Sequence, residues 1–164
     1  MSSVRLKKQT QTADYDNGMI PAAVVQSLVR LIDRFRPDAD SDLPEHQRLG
    51  RRGEEDVYFY LRRNGYVMVA RNFRTPVHRG EIDLIGWKKD VLCFIEVKSR
   101  TSRDVKPAEA AVDRDKQRDL ARVARDYLRH LPGNPQWRFD IVSVYYEGNS
   151  FPSFELYENA FGVS

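Results

Sequence analysis

Two acids and a lysine, Asp83 in GEIDLIGW and Glu96 and Lys98 in VLCFIEVKSR, interrupt runs that are otherwise apolar and β-branched. Charge inside such runs is costly unless it is paired or used. If the two runs form a hairpin around a two-residue loop at Lys89-Asp90, Asp83 lies directly opposite Glu96, with side-chain carbons about 4.5 to 5.5 Å apart. Alternate residues of a strand share a face, so Lys98 joins Glu96. A three-residue loop would instead put the two acids on opposite faces. Facing carboxylates repel each other in a low-dielectric setting, and a divalent cation is the natural neutraliser. Hard oxygen ligands favour Mg²⁺ or Mn²⁺, which can hold a phosphate oxygen and lower the pKa of an attacking water. Lys98 is then placed to orient that water or to stabilise charge developing at phosphorus. The competing reading is a strand-surface ion pair between Glu96 and Lys98, with Asp83 capping a turn.

The elements that must position these residues follow from periodicity. From Gly50 to Asn64 the pattern is helical, with Val57 and Leu61 on one side and Glu54 on the same core-facing stripe. YVMVARNF, EIDLIGW and VLCFIEVKSR read as three strands. Pro107 can open a second helix whose stripe carries Leu120, Val123, Ala124, Tyr127, Leu128 and Leu131 and which ends at Pro132-Gly133. Arg118, Arg122, Arg125 and Arg129 on its outer face interleave with Asp119 and Asp126, which suits salt bridging. RFDIVSVYY and SFELYEN supply two further strands, so the order predicts an α/β domain with a mixed sheet flanked by helices. Trp87 and Trp137 sit in strand-like sequence and read as core.

With 164 residues and 41% hydrophobic content, the chain suits one core and an appendage. Residues 1–19 read as a disordered lead, 20–47 as an N-terminal helical appendage with an acidic linker, and 48–164 as the main domain. No apolar run approaches the roughly 18 residues of a membrane span, and the N-terminus lacks the apolar region of a signal peptide. The single cysteine, Cys93, excludes a disulfide framework within one chain and suits a cytoplasmic protein. Net charge is only +3, so any basic function must come from clustering. Arg71, Arg74, His78 and Arg79 fall in and after the first strand, and Arg100 and Arg103 follow Lys98. As a set they could line a groove that holds phosphates beside the cation.

GRRGEEDVYFYLRRNGY, RGEIDLI, FIEVKSR, AVDRDKQRDLARVARDYL and RFDIVSV together resemble the YraN family of uncharacterised bacterial proteins, over residues 48–158. That family in turn resembles the PD-(D/E)xK nuclease superfamily, nearest to the archaeal Holliday-junction resolvases. The resemblance implies a restriction-endonuclease-like fold and a metal-dependent endonuclease that hydrolyses phosphodiester bonds in branched or structured DNA. It also implies that Asp83 and Glu96 ligate the metal with the backbone carbonyl of Val97, that Glu54 joins from the first helix, and that Lys98 lies near the attacking water. Lys116 or Gln117 takes a helper position on the second helix by the same resemblance. A homodimer is implied as well, because a four-way junction carries two symmetric cut sites. One departure is that Glu81-Ile82 stands where the superfamily has a proline before the aspartate. Glu81 is then either a substitute ligand or a solvated strand residue. A nucleic-acid-binding module without turnover, and a structural domain with a buried ion-pair network, are the alternative functions.

Overall fold

Leu92 to Val97 form an unbroken run of buried residues, as expected of a strand covered on both faces. The computed structural model describes residues 8–11, 43–102, 112–148 and 150–162 and places this run in β4 (Val91–Arg100). The other elements are β1 (Lys8–Gln11), α1 (Glu45–Arg63), β2 (Tyr66–Phe73), β3 (Ile82–Lys88), α2 (Arg114–Arg129), β5 (Gln136–Tyr145) and β6 (Ser153–Phe161). The sheet order is β1-β6-β5-β4-β3-β2. β4 and β5 are parallel, and every other neighbouring pair is antiparallel. The result is a restriction-endonuclease-like α/β domain: a mixed five-stranded sheet between two helices, lengthened at one edge by β1.

Period-two alternation divides the core between the two faces. Leu84, Cys93, Ile95, Val142 and Val144 meet Val57 and Leu61 of α1. Ile85, Leu92, Phe94, Phe139 and Ile141 meet Leu120, Val123 and Ala124 of α2. Phe94 is the centre of the second cluster, with the rings of Tyr127, Trp137 and Phe139 edge-on or tilted against it at 5.6 to 5.9 Å. Trp137 is core, as its strand context predicts, and Trp87 packs against the same cluster. Cys93 is fully buried, and burial pushes its thiol up to about 12, so it acts as a small apolar residue. No described helix is long and apolar enough to cross a membrane.

Three boundaries differ from the expectation. β1 pairs with β6 inside the stretch read as a disordered lead, because sheet pairing can recruit a short polar segment that has no hydrophobic signal of its own. α1 begins at Glu45 rather than Gly50. Pro44 looked like part of a linker, but it precedes the first turn, where its missing N–H costs nothing, and its carbonyl accepts from Gln47 and Arg48 N–H at 2.9 and 3.2 Å. α2 begins at Arg114, capped by the Asp113 side chain, which accepts from Lys116 N–H at 2.8 Å. Pro107, expected to open that helix, lies outside the described residues, as does the expected helix at 20–35.

One close approach sets the position of α1. A Cβ added at Gly53 would lie 1.8 Å from Ser99 Oγ on β4, so only glycine lets the helix backbone settle there. Glu54, the next residue, is thereby brought toward the C-terminal half of β4. Gly53→Ala is expected to lower the unfolding free energy by about 1–3 kcal/mol through overpacking. Urea titration checks this, with Ser99→Ala in the same chain restoring part of the loss.

Candidate metal centre

β3 and β4 pair across the two-residue loop Lys89-Asp90, with Lys88 opposite Val91 and Leu84 opposite Ile95. This is the register that sets Asp83 across from Glu96. The ladder stops at Leu84 and Ile95. In the alternation of an antiparallel pair the next hydrogen-bonded residues would be Ile82 and Val97. Asp83 Oδ2 instead accepts the Val97 N–H at 2.7 Å. A side chain has taken the amide that the facing strand would have used, so the strands part at the acid pair.

Glu96 is 4% exposed, in the middle of the sheet. Its Oε1 accepts from Lys98 Nζ at 2.7 Å and also from Lys116 Nζ, which α2 delivers from its first turn. Its Oε2 is buried and has no hydrogen-bond partner among the described residues. A bare carboxylate oxygen at this depth is costly. Burial drives the Asp83 carboxyl upward, the neighbouring Glu96 charge adds to it, and together they outweigh the Val97 hydrogen bond to give a pKa of about 7. Burial pulls the Lys116 ammonium down, but the Glu96 carboxylate outweighs this and leaves the pKa raised. Lys116 therefore stays charged against Glu96.

Glu54 approaches from the other face of the sheet. Its Oε2 accepts from Asn72 Nδ2 at 2.8 Å, and its charge contributes to the rise at Asp83. Asn72, near the end of β2, has φ 49°, a left-handed conformation that asparagine tolerates better than most residues. Sequence reading missed Asn72 because a strand pattern carries no sign of a left-handed residue. Among the described residues no three His, Cys, Asp or Glu side chains gather into one metal cluster, so Asp83 and Glu96 form the acid pair and Glu54 stands beside it.

The remaining expected residues scatter. Gln117 is on α2, but its amide donates to Val112 O at 2.8 Å, which ties down the start of the helix rather than reaching the acids. Glu81 is paired with Arg74 through Nε at 2.7 Å, an exposed ion pair. His78 Nε2 sits 3.5 Å from Asp126 Oδ2 on α2. Arg79 is exposed, and Arg71 lies over the Tyr58 ring on the α1 side. Arg100 ends β4 and is 8% exposed, too buried to line an open groove. Arg103 lies outside the described residues. The basic set thus does not form one wall, because strand alternation and local acids send its members to different faces.

Two further buried acids escaped the sequence reading. Glu155 on β6 is opposite Ser143, which is itself beside Lys98. Glu155 accepts from Tyr157 and Tyr145 hydroxyls at 2.6 and 3.3 Å. The alternation of SFELYEN could have shown Glu155 and Tyr157 sharing a face. Asp140 is fully buried and its Oδ1 accepts the Asn159 N–H at 2.9 Å where the β5–β6 register shifts, while Arg138 Nε lies 2.9 Å from the same oxygen and donates to Oδ2 at 3.2 Å.

A mixed sheet whose hairpin parts around an aspartate, with a glutamate and lysine beyond it on the central strand, marks this as a restriction-endonuclease-like domain with a charged centre. The chain belongs to the uncharacterised protein family UPF0102, whose model matches residues 53–144 and so spans Glu54, Asp83, Glu96, Lys98 and Lys116. It is 54% identical to a UPF0102 protein of Koribacter versatilis over 139 residues, 85% of this chain and 95% of that one. A UPF0102 protein of Solibacter usitatus is 43% identical over 82% of this chain and 97% of its own length. One of Desulfosudis oleivorans is 40% identical over 74% and 96%.

The raised Asp83 pKa has a measurable consequence. The folded chain holds this proton to about pH 7, whereas the unfolded chain releases it near 3.8. The associated stabilisation is therefore fully present below the unfolded value and is lost as pH rises toward 7. Thermal unfolding in the absence of divalent ions is expected to show stability falling across that window. Asp83→Asn, which keeps an acceptor for Val97 N–H, should flatten the slope and raise Tm at pH 8.

Proposed function

We propose that this protein is a divalent-metal-dependent endonuclease that hydrolyses phosphodiester bonds in branched or structured DNA. The observation that carries the reading is the Glu96 carboxylate, with one oxygen held by two ammonium groups and the other buried bare, beside an aspartate held toward neutrality by burial and by Glu96. Hard oxygen donors in this number suit Mg²⁺ or Mn²⁺, which keep several waters and take few protein ligands. Asp83, Glu96 and the Val97 carbonyl would hold the ion, and Glu54 would add negative charge from the α1 side. When bound, such an ion supplies Lewis acidity at the scissile phosphate and a water of lowered pKa. Lys98 orients the attacking water and stabilises charge at phosphorus, while Lys116 fixes the Glu96 rotamer from α2. The family resemblance supports DNA as substrate, and the two-fold symmetry of a four-way junction favours a homodimer.

A second reading is a nucleic-acid-binding module without turnover. It is favoured by one feature, namely that Lys98 and Lys116 already pair with Glu96, the deeper of the two acids.

Cleavage of linear, flapped and four-way DNA in Mg²⁺ or Mn²⁺ separates the two. The nuclease reading expects Glu96→Ala and Asp83→Asn each to lower the rate by at least about a hundred-fold. Calorimetry should find a Mn²⁺ site that Glu96→Ala removes. No cleavage of any of these substrates, together with no Mn²⁺ heat, would leave the binding module standing.

A further inference from the structure

On α1, Glu54, Tyr58 and Arg62 stand one helical turn apart and therefore lie in a line. β2 runs beside them, and its Arg71 guanidinium lies 5.1 Å from the centre of the Tyr58 ring, with that of Arg62 5.8 Å away. Phe59 packs edge-on to Tyr58 at 5.4 Å and remains 37% exposed. Beyond this stack the seam between helix and strand opens into a shallow groove of about 490 Å³, lined by Tyr58, Arg62, Gly65, Tyr66, Val67 and Met68. Lys88 reaches over the Tyr66 ring at 5.0 Å from its centroid. At its other end the line reaches Glu54, which Asn72, next to Arg71, holds and whose charge is felt at Asp83.

We infer that this seam is a track for single-stranded nucleic acid leaving the metal centre, so that the preferred DNA carries an unpaired tail next to the cut. The inference rests on the phosphodiesterase reading of the acid centre and names the substrate feature it selects. A guanidinium lying over a tyrosine ring offers its outer face to a base and its edge to phosphates, and exposed aromatic faces stack on bases without regard to sequence. Arg62 and Arg71 give the seam a positive lining that complements a phosphate backbone, with Lys88 at its margin bonded to the Asn64 carbonyl. A duplex cannot use these faces, because its bases are already stacked on one another. From Arg71 to Val67 the strand covers about 13 Å, which is room for a few nucleotides.

Binding of a duplex with an oligothymidine tail, and of the same duplex blunt-ended, can be measured by fluorescence anisotropy with the full chain in EDTA. Tyr58→Leu and Arg62→Ala are each expected to lower the ratio of tailed to blunt affinity by about ten-fold. An unchanged ratio in both variants overturns the track. So does sedimentation showing that either variant dissociates a dimer, which would make the seam a self-association surface. Arg62 is exposed on the last turn of α1, so its variant carries the test even if Tyr58→Leu fails to fold. If no hydrolysis depends on Glu96 but the tailed preference depends on Tyr58 and Arg62, the hydrolytic reading fails and the track stands. Hydrolysis that needs Glu96, with a ratio indifferent to Tyr58 and Arg62, removes the track alone.

Discussion

A backbone N–H in the interior of a sheet has to be bonded to something. At Val97 the acceptor is the Asp83 carboxylate, and the pairing of β3 with β4 ends one step earlier, at Leu84 and Ile95. This substitution accounts for several features together. It orients Asp83, it parts two strands that would otherwise stay sealed, and it places the opening beside Glu96. A metal or phosphate could reach the middle of a continuous ladder only by breaking backbone bonds. Here the gap is built into the hairpin and its amide is already satisfied.

Both helices bring charge to the opening, α2 a cation and α1 a further acid. α2 begins at an aspartate cap that fixes its first turn, and Lys116 on that turn reaches the same Glu96 oxygen as Lys98. α1 is seated on β4 through Gly53, and it carries Glu54 to the opposite face of the sheet. Two acids on the sheet and one from a helix meet two ammonium groups, yet Glu96 Oε2 is left bare. Buried charge of this kind contributes little to stability compared with apolar packing of the same volume.

The same device recurs away from the acid centre. Asp140 accepts the Asn159 amide where β5 and β6 shift register, with Arg138 closing over it. Asp140 is paired by an arginine and fully enclosed, whereas Asp83 lies at an opening and faces a second acid. Burial and charge neighbours, more than the carboxylate itself, set the two acids apart.

The primary structure by itself determined the elements and left the hairpin a choice between a two-residue and a three-residue loop, which the tertiary structure decided in favour of two. Alternation and β-branching marked every strand from β2 to β6, helical spacing marked both α1 and α2, and a loop at 89–90 was one of the two that the polar run Lys88-Lys89-Asp90 allows. From that loop the apposition of Asp83 and Glu96 follows, because strand faces alternate with period two. β1 and the first turn of α1 lay beyond such reasoning, since neither shows an apolar pattern of its own. Only the tertiary structure decided that the ladder stops at Leu84, that Asn72 turns left-handed to hold Glu54, that Gln117 serves its own helix and that Arg100 is enclosed. These depend on which groups compete for one amide or one carboxylate in three dimensions, and spacing along a chain does not record that competition.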